Sequence, residues 1–257
     1  MNNNRVPVLE VNDLGIDFGG LTAVNELSMT VGSEEIVGLI GPNGAGKTTV
    51  FNMLTKVYKP TRGTIRFLGQ DTSKMTVVEM NRAGIARTFQ NIRLFSNLTV
   101  RDNVKIGMGK RITYNTAEAI FRLPKFYEQE KMVENETMEL LSIFGLADSA
   151  DLFAGNLPYG AQRRLEIARA MATQPKLLLL DEPAAGMNPQ ETEELMQMIR
   201  FVRDHFRIAV LLIEHDMKLV MGICERITVL NYGMMLAEGV PAEIQSNPQV
   251  IKAYLGE

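Results

Sequence analysis

Residues Gly41-Pro42-Asn43-Gly44-Ala45-Gly46-Lys47-Thr48-Thr49 fit the pattern G-x-x-x-x-G-K-[ST], which names the chemistry of a ligand before anything else is known. Gly41, Gly44 and Gly46 let the backbone curl until successive N–H groups point inward at phosphate oxygens. Lys47 adds a mobile point charge for the outer phosphates, and Thr48 offers a hydroxyl to Mg²⁺. The flanks support the motif. The apolar run Ile36-Val37-Gly38-Leu39-Ile40 reads as a buried strand, and Thr48 to Leu54 as a helix whose positive end faces the same oxygens.

A second group of candidates follows another apolar run. Lys176 to Leu180 reads as a strand that delivers Asp181 and Glu182 at its end, the edge where α/β sheets bind ligands. Asp181 is the expected Mg²⁺ partner, directly or through water. Glu182 is then left to orient or deprotonate an attacking water. Ile208 to Ile213 leads in the same way to His215, a candidate hydrogen-bond partner for a γ-phosphate. The other histidine, His205, reads as surface, and the single cysteine, Cys224, as a small core residue.

The elements that must hold these groups change character along the chain. Short strands are expected at Val8–Val11, Leu27–Val31, Glu35–Ile40 and Gly63–Phe67, punctuated by Gly19-Gly20 and Gly32-Ser33. From about Thr99 to Ala172 the pattern is helical, most clearly over Glu128–Phe144. Gly107–Lys125 reads as a loop with a short helix. After Pro175, strands at Lys176–Leu180, Ile208–Ile213 and Ile227–Leu230 alternate with helices at Pro189–Arg203 and Asp216–Ile223, the signature of parallel β-α-β units. A helical block is thus inserted between two halves of one α/β core.

The 257 residues suffice for one large domain or two small ones, and 46% hydrophobic residues support an ordinary packed core. A net charge of −3 argues against a general nucleic-acid binder. One cysteine excludes an internal disulfide. Met1-Asn2-Asn3-Asn4-Arg5 carries no apolar signal segment, and the longest apolar runs are far too short to span a bilayer. Any membrane role is therefore expected to require a partner.

Taken in order, these residues resemble the ATP-binding-cassette ATPases over nearly the whole chain, residues 1–257 as a single domain. Phe18 matches the aromatic position that stacks on adenine in that family. Gln90, in Arg87-Thr88-Phe89-Gln90-Asn91, matches the glutamine that links the Mg²⁺ site to the helical subdomain. The segment from Asn156 to Ala170 matches the signature region, and His215 the switch histidine. The resemblance implies a P-loop NTPase core with an antiparallel β-subdomain and an inserted α-helical subdomain at approximately 91–172. It implies ATP and Mg²⁺ as ligands, with Thr48, Gln90 and Asp181 at the metal. Lys47, Gln90, Glu182 and His215 are the implied catalytic set. Closer still, Arg87 to Phe95, Asp181 to Pro189, Ile213 to Met221 and the ending Ala253-Tyr254-Leu255-Gly256-Glu257 resemble the ATP-binding subunit of branched-chain amino-acid importers; importers for other amides and amino acids share much of this pattern.

Two departures from the family pattern stand out. Pro158-Tyr159-Gly160 replaces Ser-Gly-Gly, so the serine hydroxyl is absent and Pro158 lacks an N–H. Tyr159, Gly160, Ala161 and Gln162 can still present a helix end to phosphate. Asn188 stands where many members carry an aspartate at the dimer interface; Asn188-Pro189 is equally a good start for the helix that follows.

The resemblance implies a second ATPase subunit, the same chain or a related one, meeting this one head to tail with ATP between them. Transmembrane permease subunits would dock near Asn91-Ile92-Arg93-Leu94-Phe95, whose apolar residues either belong to the helical core or line a groove for a short permease helix. A solute-binding protein would act indirectly, and the place of work would be the cytoplasmic face of the inner membrane. Rival readings lack support. The long coiled-coil arms of DNA-repair members, the second cassette of translation members and the Asn-Lys-x-Asp segment of GTPases are all missing. An inactive nucleotide-dependent scaffold is disfavoured by intact Lys47, Asp181, Glu182 and His215.

Overall fold

A computed structural model describes residues 7–255; Met1-Asn2-Asn3-Asn4-Arg5 and the final Gly256-Glu257 lie outside them. The chain divides into two compact units. One comprises residues 7–90 and 176–255, the other Asn91–Pro175.

The first unit contains two sheets. The smaller has strand order β2-β1-β4-β5 and is antiparallel throughout: β1 (Leu9–Phe18), β2 (Leu21–Val31), β4 (Arg62–Phe67) and β5 (Gln70–Asp71). The larger has order β10-β9-β3-β8-β7-β6. In it, β9 (Arg226–Asn231), β3 (Ile36–Ile40), β8 (Ala209–Ile213), β7 (Leu177–Asp181) and β6 (Ile85–Arg87) run parallel, and β10 (Met234–Gly239) closes one edge antiparallel. Every residue of β3, β7 and β8 is buried, as expected of parallel strands covered on both faces. Around them lie α1 (Lys47–Leu54), α2 (Val77–Ala83), α7 (Pro189–Phe206), α8 (Met217–Ile223), α9 (Pro241–Ser246) and α10 (Pro248–Leu255).

The second unit is helical: α3 (Val100–Gly107), α4 (Thr116–Ile120), α5 (Pro124–Ile143) and α6 (Tyr159–Met171). Val104, Val133, Leu141, Phe144 and Leu165 form part of its buried interior. Arg163 is fully buried on α6, where its Nη1 donates to Glu166 Oε2 at 2.7 Å. Glu166 Oε1 also accepts the N–H of Arg93 at 3.2 Å, which ties the loop after Gln90 to α6.

Two strands outrun their sequence expectations. β1 runs past Val11, the expected end of the strand, through Asn12 and Asp13 by shifting register against both neighbours; Asp13 takes φ 47. A bulge thus absorbs turn-forming residues without ending the strand. β2 starts at Leu21 because Phe18 pairs with Leu21 across the tight Gly19-Gly20 turn. Residues 21–26 are mostly exposed or half-buried, so they lack the apolar alternation that marks a strand. In Gly107–Lys125 the short helix is α4, capped by Asn115 through a reciprocal capping box with Glu118.

Candidate active site at the ends of the parallel strands

Four of the five parallel strands deliver candidate residues at one edge of the large sheet. β3 runs into the loop 41–46, β6 stops at Arg87, β7 at Asp181 and β8 at Ile213, with Asp181 registered on Ile213. An apolar run therefore delivers each polar group at the same edge, where open α/β sheets bind ligands.

The loop wraps as its glycines require. Gly41 takes φ 153, and a Cβ there would strike the Leu230 carbonyl oxygen; Gly46 takes φ 102, and a Cβ there would lie 2.8 Å from the Ala23 carbonyl oxygen. Gly46 leads directly into α1, so the unpaired first-turn N–H groups of that helix open onto the loop. Lys47 Nζ donates to the carbonyls of Gly41 at 2.7 Å and Pro42 at 3.0 Å. Burial pulls the Lys47 pKa below its ordinary value, against the opposing pull of Glu182 and Asp181. Two backbone carbonyls therefore hold a partly desolvated ammonium where phosphate oxygens would replace them. A cavity of about 510 Å³ opens above the loop, lined by residues 43–49, Leu21, Thr22, Ala23, Glu182 and Tyr232.

Glu182 leaves β7 at φ 46, with its N–H donated to the Ile213 carbonyl at 2.9 Å. Gln90 Nε2 donates to Glu182 Oε2 at 2.7 Å. His215 Nδ1 lies 3.7 Å from the same oxygen, on a ring that is 62% exposed and free to turn toward a ligand. Below it, Glu214 is buried and accepts the N–H groups of Ala184, His215 and Asp216, at 2.8, 3.0 and 3.3 Å. Burial raises its pKa, and those three N–H donors oppose the rise. Glu214 thereby fixes the turn that carries His215, a role the sequence reading did not assign.

Asp181 is 6% exposed and bonded to Arg87 at 2.7 Å. Thr48 is exposed on the first turn of α1. The hydroxyl of Thr48, the carboxylate of Asp181 and the amide oxygen of Gln90 are hard oxygen donors from a single unit, the type that Mg²⁺ accepts alongside phosphate and water.

Lys47, Thr48, Thr49, Gln90, Asp181, Glu182 and His215 are thus carried on one unit, with Glu182 joining Gln90 and His215. Phe18 belongs to the same unit but not to the cavity lining. It is 43% exposed and stands edge-on to Tyr58, ring centroids 5.3 Å apart. Tyr159, Gly160, Ala161 and Gln162 form the first turn of α6 in the helical unit. Gln162 N–H returns to the Pro158 carbonyl at 3.0 Å, and its side chain donates to Leu157 at 2.8 Å. Of the docking candidates, Ile92 and Leu94 are half-buried and Phe95 is 49% exposed, with the Arg169 guanidinium 5.5 Å over its ring. None of the three is a buried core residue.

Residues 24–185 match the family model described as ABC transporter. The chain belongs to the ABC transporter family. A second model, described as branched-chain amino acid ATP-binding cassette transporter, matches residues 235–257 of this cassette. The cassette is 49% identical over 251 residues to the high-affinity branched-chain amino acid transport ATP-binding protein LivG of Escherichia coli (strain K12), covering 98% of each chain. It is 47% identical to the corresponding protein BraF of Pseudomonas aeruginosa, again over 98% of each. Among solved structures it matches the ADP conformation of MJ1267, an ATP-binding cassette of an ABC transporter, with a TM-score of 0.85 and 29% identity over 98% of this chain and 100% of that one.

Leu21, Ala23 and Tyr232 line the cavity without having been singled out in the sequence. They come from a hairpin strand and from the β9–β10 turn, and only the folded pairing brings them to the loop. Among the described residues, no helix is long and apolar enough to cross a membrane.

Proposed function

We propose that this cassette binds and hydrolyses ATP to power an importer for branched-chain amino acids. The observation that carries the reading is the meeting of Gln90, Glu182 and His215 beside the phosphate loop, at the edge where Asp181 and Lys47 also end. The relatives named above supply the substrate class.

The loop N–H groups and the α1 terminus cradle the phosphates, and Lys47 exchanges its carbonyl partners for phosphate oxygens. Thr48, Asp181 and Gln90 would hold Mg²⁺, which would supply positive charge to offset that of the phosphates. Glu182 orients a water toward the γ-phosphorus and accepts its proton, while Gln90 fixes that carboxylate. His215 hydrogen-bonds the γ-phosphate, and Phe18 stacks on the adenine. The turn Tyr159–Gln162 closes on the γ-phosphate of a second cassette, the same chain or a related one, placed head to tail. Hydrolysis removes the charge that holds the pair closed. Permease subunits at the cytoplasmic face of the inner membrane convert that opening into transport, with a solute-binding protein supplying the amino acid.

The test is purification of the intact membrane complex, identification of its subunits and reconstitution in vesicles. Leucine, isoleucine or valine uptake that needs Mg²⁺ and ATP is expected. A complex with no magnesium-dependent affinity for adenine nucleotides would overturn the reading.

A further inference from the structure

Arg87 lies outside the phosphate loop and has no part in the mechanism above. It ends β6, whose other residues, Ile85 and Ala86, are buried, and its own side chain is 8% exposed. The guanidinium lies 5.5 Å from the Phe51 ring centroid and 5.1 Å from that of Phe89. Nη2 donates to Asp181 Oδ2 at 2.7 Å, and Nη1 donates to Asn52 Oδ1 at 2.7 Å. A planar fork with separate donors can make both bonds at once, whereas a single ammonium carries no such fixed fork. Asn52 stands on α1, the helix that begins with Lys47 and Thr48. One side chain thus ties the end of β7 to the helix behind the phosphate loop. It also joins both to the strand that leads, three residues on, to Gln90.

We propose that Arg87 is a positioning residue for the cation: it holds one oxygen of Asp181 so that the other is fixed for Mg²⁺, in register with Thr48 and Gln90. The inference rests on the function proposed above. Partners that orient a metal-binding carboxylate commonly change metal affinity by about 10- to 100-fold when removed. A second positive charge close to the site would by itself weaken cation binding, so the geometric role and the electrostatic role predict opposite signs. Arg87→Lys separates them, because it keeps the charge and loses the fork.

ATP affinity of the full chain is measured in EDTA and again with Mg²⁺, alongside thermal melting. The wild type is expected to bind ATP more tightly with Mg²⁺; if it binds no ATP at all, the functional reading fails before this inference is reached. In Arg87→Lys, affinity in EDTA stays at the wild-type value while the gain from Mg²⁺ falls about ten-fold. An unchanged or larger gain overturns the proposal. So does an equal loss with and without Mg²⁺, which would mean that Arg87 only supports the fold. Asn52→Ala, which frees Arg87 from α1 without removing a charge, decides the matter if the first variant does not fold. A smaller loss of the Mg²⁺ gain is expected there, and no loss overturns the assignment.

Discussion

Glu182 carries the sharpest expectation at the scale of single residues. Its Oε2 accepts from Gln90 Nε2 at 2.7 Å and lies 3.7 Å from His215 Nδ1, and the proposed mechanism has this carboxylate orient a water. Glu182→Gln keeps the shape and removes the proton acceptor, so hydrolysis should fall about 10²- to 10⁴-fold with ATP affinity retained. Single-turnover ATPase assays check this, and near-normal turnover would remove Glu182 from the role. Lys47 makes a pH prediction. Burial lowers its pKa in the free protein, so the native state binds fewer protons than the unfolded chain between the lowered value and 10.5. Unliganded stability therefore gains from this group as pH rises through that window. A triphosphate favours the charged ammonium, so ATP binding should take up a proton there and weaken with rising pH. Calorimetry in buffers of different ionisation enthalpy reads the proton count; zero uptake across the window would contradict a phosphate contact.

The phosphate loop was legible in the sequence because its chemistry is local: each glycine, the lysine and the hydroxyl act within a few residues of one another. Arg87 was not, although a charge ending a buried apolar strand was a visible signal. Its partners stand 35 and 94 residues away, and only the sheet order brings them together. Glu214 escaped in part for the same reason: Ala184, one of its three N–H partners, stands 30 residues away, while His215 and Asp216 are its neighbours. Cys224 read correctly as core: it is buried, and burial pushes its thiol up to about 12, leaving no reactive thiolate.

At the scale of elements, boundaries were legible where a cap or a breaker fixes them. α7 begins where Asn188-Pro189 indicated. Asn188 Oδ1 accepts the N–H groups of Gln190 at 2.9 Å and Glu191 at 3.0 Å, and Glu191 returns a bond to the Asn188 N–H at 2.9 Å. Asn188→Ala should cost about 1 kcal/mol of stability, and Asn188→Asp should keep most of it, since aspartate caps as well. Denaturant titration of both variants tests this. Equal losses would show that the amide nitrogen, not the capping oxygen, carries the effect. β1 and β2 were less legible because a bulge and a two-glycine turn let polar residues extend strands that hydrophobic periodicity would have ended.

The whole molecule sets a problem that neither residue nor element can answer. The phosphate loop belongs to one unit and the first turn of α6 to the other. In the proposed head-to-tail pair that turn serves the partner's nucleotide, so damage to it should spare ATP binding by a single chain. Gly160→Glu makes the distinction. Gly160 has an ordinary helical backbone, and a carboxylate in a helix's first turn is locally favourable, so the fold should survive. The same charge facing a γ-phosphate across an interface is repulsive. ATP affinity of the isolated chain should therefore match wild type, while ATP-dependent pairing and hydrolysis in the assembled complex are lost. Size-exclusion chromatography in the Glu182→Gln background, where bound ATP persists, reads the pairing directly. A fall in the affinity of the single chain would instead place the signature turn beside its own phosphate loop and remove the reason for two cassettes to close on each other.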